Sequence, residues 1–81
     1  MKTIIFSKVA AKQYDRLAVD VQDRILAALI AYAGDGTGDV KALGGRPGYR
    51  LRVGAFRVIF DENQTTILAI EILRRSTTTY R

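Results

Sequence analysis

Hydrophobic spacing divides the chain into a helical front and a strand-rich back. The run KTIIF (residues 2–6) is short and rich in β-formers, and predicts a first strand. Ser7 can then cap a helix over 8–17, with Val9, Ala10, Tyr14 and Leu17 at helical spacing. A second helix follows. Asp20 stands at its N-cap, Val21, Ile25, Leu29 and Tyr32 share one stripe, and Gly34 closes it in the C′ position. GDGTGD reads as a flexible turn and VKALGGRPG as a loop anchored by Leu43. The period then changes to two. Tyr49, Leu51 and Val53 alternate with Arg50 and Arg52, and Phe56, Val58 and Phe60 alternate with Arg57 and Ile59. Gly54-Ala55 between them suits a type II′ hairpin, with Gly at the first central position. DENQ is a polar turn, and TTILAIEIL is the best central strand, expected to send Ile70 and Ile72 one way and Ala69, Glu71 and Leu73 the other. Helices grouped ahead of consecutive strands imply an α+β fold, with both helices on one face of a small antiparallel sheet.

The hairpin register poses a physical question. It pairs Val53 with Phe56, Arg52 with Arg57, Leu51 with Val58 and Arg50 with Ile59. Three arginines then share one face and two of them stand directly opposite each other. Like charges so placed cost about 0.2–1 kcal/mol. A sheet with one face packed and one solvated produces such alternation without any ligand. A face built for an anion produces it too.

Composition sharpens the choice. The 81 residues make one domain, 1–81, with 48% hydrophobic residues, enough for a small core. Cysteine is absent, which is compatible with a reducing cytosol, and histidine is absent, which removes the commonest acid/base and metal ligand. No metal or cofactor is expected. The opening MKTIIFSKVAAKQYD is too briefly apolar for a signal peptide, and no stretch approaches a membrane span, so a cytoplasmic location away from membranes is expected. The net charge of +5 is uneven. Residues 1–40 carry five Lys/Arg against five Asp, whereas residues 41–81 carry eight against three acids, and seven of the eight are Arg. That asymmetry points to an anionic partner, or more simply to a solubilising surface. The glycines of GDGTGD lack the strand before and the Gly-Lys-Ser/Thr helix after that a phosphate loop requires, and Asp35 and Asp39 are too few for a calcium loop.

VKALGGRPGYRLRVGAFRVIFDE, the strand ILAIEIL, and an Arg-rich end finishing in Tyr together resemble the RelE/ParE superfamily of type II toxins. The likeness runs through nearly the whole chain and is most specific in YRLRVGAFRVIF. RelE-like members are ribosome-dependent mRNA interferases; ParE-like members act on DNA gyrase. In the RelE branch, basic hairpin residues, an arginine on the next strand, another after the central strand and a C-terminal tyrosine form the active site. The resemblance therefore implies catalytic roles for Arg57, Arg74 and Tyr80, with Arg75 replacing Arg74 if the register shifts by one. It implies phosphate-binding roles for Arg50, Arg52, Arg75 and Lys41. Both hairpin cations are Arg here where relatives often have Lys. Arg does not readily lose its proton, so it stabilises charge but does not serve as a base.

The implied chemistry is metal-independent RNA cleavage. The 2′-OH attacks the adjacent phosphorus, the 5′-oxygen leaves, and planar guanidinium donors neutralise the phosphorane oxygens. Tyr80 can protonate the leaving oxygen or stack on a base. Lys41 and Glu71 are conceivable acid/base groups, and Glu71 reads first as an ion-pair partner for one of the arginines rather than as a base. The implied partners are a cognate antitoxin with an acidic, amphipathic segment, and mRNA on the ribosome or, in the alternative, DNA gyrase. A third possibility is a basic face that binds phosphate without cleaving it.

Overall fold

Ser7 caps the first helix as its sequence position predicts. Its Oγ accepts from the Ala10 N–H at 3.0 Å, at the junction between β1 (Thr3–Phe6) and α1 (Lys8–Asp15). The computed structural model describes residues 1–74. Beyond α1 the order is α2 (Val19–Asp35), β2 (Asp39–Ala42), β3 (Tyr49–Val53), β4 (Phe56–Glu62) and β5 (Thr66–Arg74).

Both helix boundaries of α2 differ from the expectation. The N-cap residue is Ala18, with no side-chain cap, and Asp20 lies inside the first turn. The corner between the helices makes the difference. Tyr14 Oη donates to the Gln22 carbonyl at 3.2 Å, and Gln22 Nε2 donates to the Tyr14 carbonyl at 2.7 Å. This reciprocal pair holds the start of α2 against the end of α1. Leu17 falls in the corner rather than in the first helix. At the other end Gly34 stays helical, and Gly36 takes the left-handed conformation (φ 78°) that terminates α2.

The five strands lie in the order β1-β5-β4-β3-β2. β1 runs parallel to β5 and all other pairs are antiparallel, so the sheet is mixed. The two intervening helices carry the chain back over one face before β5 reaches β1, which permits the parallel pairing. The loop expected over VKALGGRPG begins instead as edge strand β2. Only Val40 of its four residues is partly covered, so the strand has no apolar alternation of its own and depends on its pairing with β3. Leu43 closes the remaining loop through its backbone, its N–H donating to the Gly48 carbonyl, and its side chain is not among those packed against the core cluster. β4 continues through Asp61 and Glu62, and the polar turn is confined to the residues after them, where Asn63 Oδ1 accepts from the Thr65 and Thr66 amides. The hairpin register is as predicted, and Gly54 alone takes positive φ (58°), as a II′ turn requires.

Ala10, Ile25, Leu29 and Ala33 from the helices pack on Leu51, Val58, Phe60, Ile67, Ala69 and Ile72 from the strands. Phe60 is central, edge-on to Tyr32 (5.4 Å) and stacked on Tyr49 (5.5 Å). Each fully buried side chain of this size contributes about 1.5–3 kcal/mol. All of this lies on the helix side of the sheet.

β5 departs from simple alternation. Its pairing with β4 skips from Ile59↔Glu71 to Phe60↔Ala69, leaving Ile70 as the extra residue of a β-bulge. Ile67 and Ala69 therefore face the core, Ile70 is exposed, and the next core residue is Ile72. Ile70 and Ile72 do not share a side, contrary to expectation. Two side chains from α1 and its cap satisfy the bulged backbone. Ser7 Oγ donates to the Ile70 carbonyl at 2.7 Å, and Gln13 Oε1 accepts from the Ile72 N–H at 2.6 Å.

Candidate functional site

The face of the sheet away from the helices is assembled by strand register. One row across it reads Asp39, Arg52, Arg57, Leu73; the adjacent row reads Lys41, Arg50, Ile59, Glu71. Four cations thus stand on neighbouring positions of three strands. Arg50, Arg52 and Arg57 are half-buried and Lys41 is exposed. Ile59 is only 5% exposed, yet it stands apart from the core cluster. It stands between Arg50 and Glu71 in its row across the sheet.

Charge is incompletely balanced. The Arg52 Nε lies 4.0 Å from Asp39 Oδ2, a loose pair at the β2 edge. Arg57, opposite Arg52, has no carboxylate within salt-bridge distance among the described residues. The arrangement therefore presents guanidinium groups to an outside anion at small conformational cost, since the strands already hold their stems.

The expected site residues divide. Arg50, Arg52, Arg57 and Lys41 are brought together. Arg74 is not with them. It pairs with Phe56, and its guanidinium lies over the Phe56 ring (5.7 Å to the centroid), on the helix side of the sheet. There it borders a cleft of about 410 Å³ with Gln13, Arg16, Val21 and Ile72. Arg75 and Tyr80 lie outside the described residues. Two members of the face escape simple sequence reading: Ile59, which alternation alone cannot show to be covered, and Glu71, which the bulge turns outward. The only signal for the latter is that apolar residues of ILAIEIL occupy both parities.

A second charged cluster lies on the helix side, at the far end of β4. Glu62 accepts from Lys2 Nζ at 2.6 Å and from Tyr32 Oη at 2.5 Å. Burial pushes the Tyr32 hydroxyl up to about 12, reinforced by its bond to Glu62. Burial alone would raise Glu62 as well, but the bonds from Lys2 and Tyr32 outweigh it and hold the carboxyl below its ordinary range. Every polar group of this cluster is partnered, so it reads as a structural tie between β1, α2 and β4. No group of three His, Cys, Asp or Glu side chains suited to a metal occurs among the described residues. No described helix is long and apolar enough to cross a membrane.

No protein-family model matches the sequence, and no curated protein matches it. Solved structures do. The isolated E. coli RelE toxin superposes with a TM-score of 0.80 at 14% identity, over 98% of this chain and 89% of that one. A chain of the RelB-RelE antitoxin-toxin complex from Methanococcus jannaschii gives 0.73 at 24% identity, over 88% and 89%. The YoeB/ParE toxin from Agrobacterium tumefaciens gives 0.74 at 15% identity, over 94% and 100%. The element order, the mixed five-stranded sheet and these superpositions agree: the chain has the fold of the RelE/ParE superfamily of toxins.

Proposed function

We propose that this chain is the toxin of a type II toxin-antitoxin system and acts as a ribosome-dependent mRNA interferase. The observation that carries the reading is the direct opposition of Arg52 and Arg57 on the open face, with Arg50 and Lys41 in the neighbouring row. A phosphate between the two guanidinium groups relieves their repulsion, and the phosphorane, which carries more negative charge, relieves it further. Stabilisation that grows towards the transition state is what accelerates a reaction. The arginines bind and neutralise phosphate, and the ribosome contributes in-line alignment of the message. The work takes place in the cytoplasm, on the translated message. The cognate antitoxin is an acidic, amphipathic segment that covers the basic face or the helix pair.

A second reading, a ParE-like inhibitor of DNA gyrase without chemistry of its own, draws support from Arg74. It stands on the opposite side of the sheet from Arg57, so these two do not form one phosphate clamp in this arrangement. Cell-free translation of a defined mRNA followed by primer extension separates the readings. The interferase reading expects breaks only on translating ribosomes, lost in folded Arg57→Ala and Tyr80→Phe variants. Intact message from a folded, toxic protein overturns it and directs attention to gyrase supercoiling.

A further inference from the structure

Cleavage through the 2′-oxygen requires an acceptor for its proton, and arginine cannot be one. The basic face carries few carboxylates in reach of Arg57. Asp39 lies two strands from Arg57 at the sheet edge and is engaged with Arg52. Asp61 lies further along β4, opposite Leu68, with its Oδ1 accepting from the Glu62 N–H. Glu71 is different. It stands on β5 beside β4, opposite Ile59 and diagonal to Arg57, which pairs with Leu73. Diagonal neighbours across a ladder lie about 7–8 Å apart, within reach of long side chains.

Glu71 is on this face because of the bulge. Unbroken alternation from Ile67 and Ala69 would send it into the core beneath the helices. The extra residue at Ile70 turns it outward and turns Ile72 inward. Bulges are over-represented beside active sites, where they re-aim side chains. This one is held by two side chains from outside the sheet, Ser7 at the Ile70 carbonyl and Gln13 at the Ile72 amide. The fold thus maintains an irregularity whose consequence is to place one carboxylate next to the arginine pair.

We propose that Glu71 accepts the 2′-hydroxyl proton in RNA cleavage, with Ser7 and Gln13 as positioning residues; this rests on the interferase reading. The Glu71 carboxylate takes the proton from O2′ as O2′ forms its bond to phosphorus. The bond from phosphorus to O5′ breaks, O5′ takes a proton from water, and the resulting hydroxide recovers the proton from Glu71. The products are a 2′,3′-cyclic phosphate and a 5′-hydroxyl. Arg52 and Arg57 hold the phosphorane oxygens throughout.

The test is single-turnover cleavage of ribosome-bound mRNA, from about pH 4 to pH 8, by the full chain and by variants checked by circular dichroism. The wild-type rate is expected to rise with pH and then level. Glu71→Gln, nearly isosteric, is expected to lose roughly 10²–10⁴-fold and that rising limb, while still binding the programmed ribosome. Glu71→Asp is expected to keep the limb at a reduced plateau, and it decides the matter if Glu71→Gln does not fold. Gln13→Ala is expected to lower the plateau and keep the limb. A Glu71→Gln protein with the wild-type limb, at any rate, overturns the assignment while leaving the interferase reading intact. A wild-type protein that leaves the message whole overturns both.

Discussion

Two charged regions of the same sheet are built on opposite rules. At the far end of β4, on the helix side, every charge has its partner: Glu62 takes Lys2 at 2.6 Å and Tyr32 at 2.5 Å. On the open face, Arg52 and Arg57 stand opposite each other, and among the described residues their only carboxylate contact is a loose one from Arg52 to Asp39 at 4.0 Å. The difference follows from solvent. A carboxylate shielded from water must be hydrogen-bonded or it destabilises the fold by several kcal/mol. Like charges on a half-buried, water-facing surface are partly screened, and their repulsion is small enough for the fold to tolerate. Charge pairing in this molecule therefore marks where the fold is held, and the open face is where like charges are left facing each other.

The comparison can be broken or sharpened by substitution. The largest effect is expected on the helix side. Phe60→Ala removes the fully buried ring between Tyr32 and Tyr49 and should lower unfolding free energy by about 3–5 kcal/mol in urea titration. Glu62→Gln comes next, at about 1–3 kcal/mol, because it leaves Lys2 without its counter-charge.

This cluster also sets a pH dependence. Glu62 has a folded pKa below its ordinary 4.5, so its contribution is present above that value and is lost as pH falls through the lower folded one. Tyr32 is raised from 10.0 to about 12, so its contribution is present below 10.0 and is lost as pH rises through 12. Melting temperature against pH should show both declines in the wild type. Glu62→Gln should show a shallower acid decline, the part due to Asp35, whose carboxyl is held below its usual range by its bond with Thr37, remaining.

The open face should respond in the opposite sense. Arg57→Gln removes a like-charge pair and is expected to raise stability by about 0.2–1 kcal/mol, while cleavage is lost. Sulfate should raise the melting temperature of the wild type more than that of Arg57→Gln. A variant destabilised at this position, or one that keeps the wild-type response to sulfate, would erase the contrast between the two regions. The smallest effect is expected from Asp39→Asn, whose pair with Arg52 is long and exposed; its shift should fall within the scatter of a melting curve.

Much of this was legible in local chemistry. The Ser7 cap, the II′ turn at Gly54, the hairpin register and the three arginines on one face all depend on residues close in sequence, where spacing and turn geometry dictate pairing. Three features were not legible, each for a long-range reason. β2 is a strand because β3 offers it partners, not because Asp39–Ala42 alternates. α2 begins at Val19 because Tyr14 and Gln22 bond across the corner, overriding the capping preference of Asp20. Arg74 stands on the helix side because its register with Phe56 puts it there, although the family resemblance groups it with the basic hairpin.

Sequence by itself determined the class of the molecule: two helices ahead of a hairpin sheet, a basic second half, and two arginines directly opposite each other across the hairpin. Only the tertiary structure decided where Glu71 points. Alternation along ILAIEIL has two consistent phases, and nothing within the strand chooses between them. Ser7 and Gln13, reaching from the first helix to the bulged backbone around Ile70, are far away in sequence and adjacent in space. Their hydrogen bonds satisfy the groups that the bulge withdraws from the ladder, and so make the irregular phase the stable one.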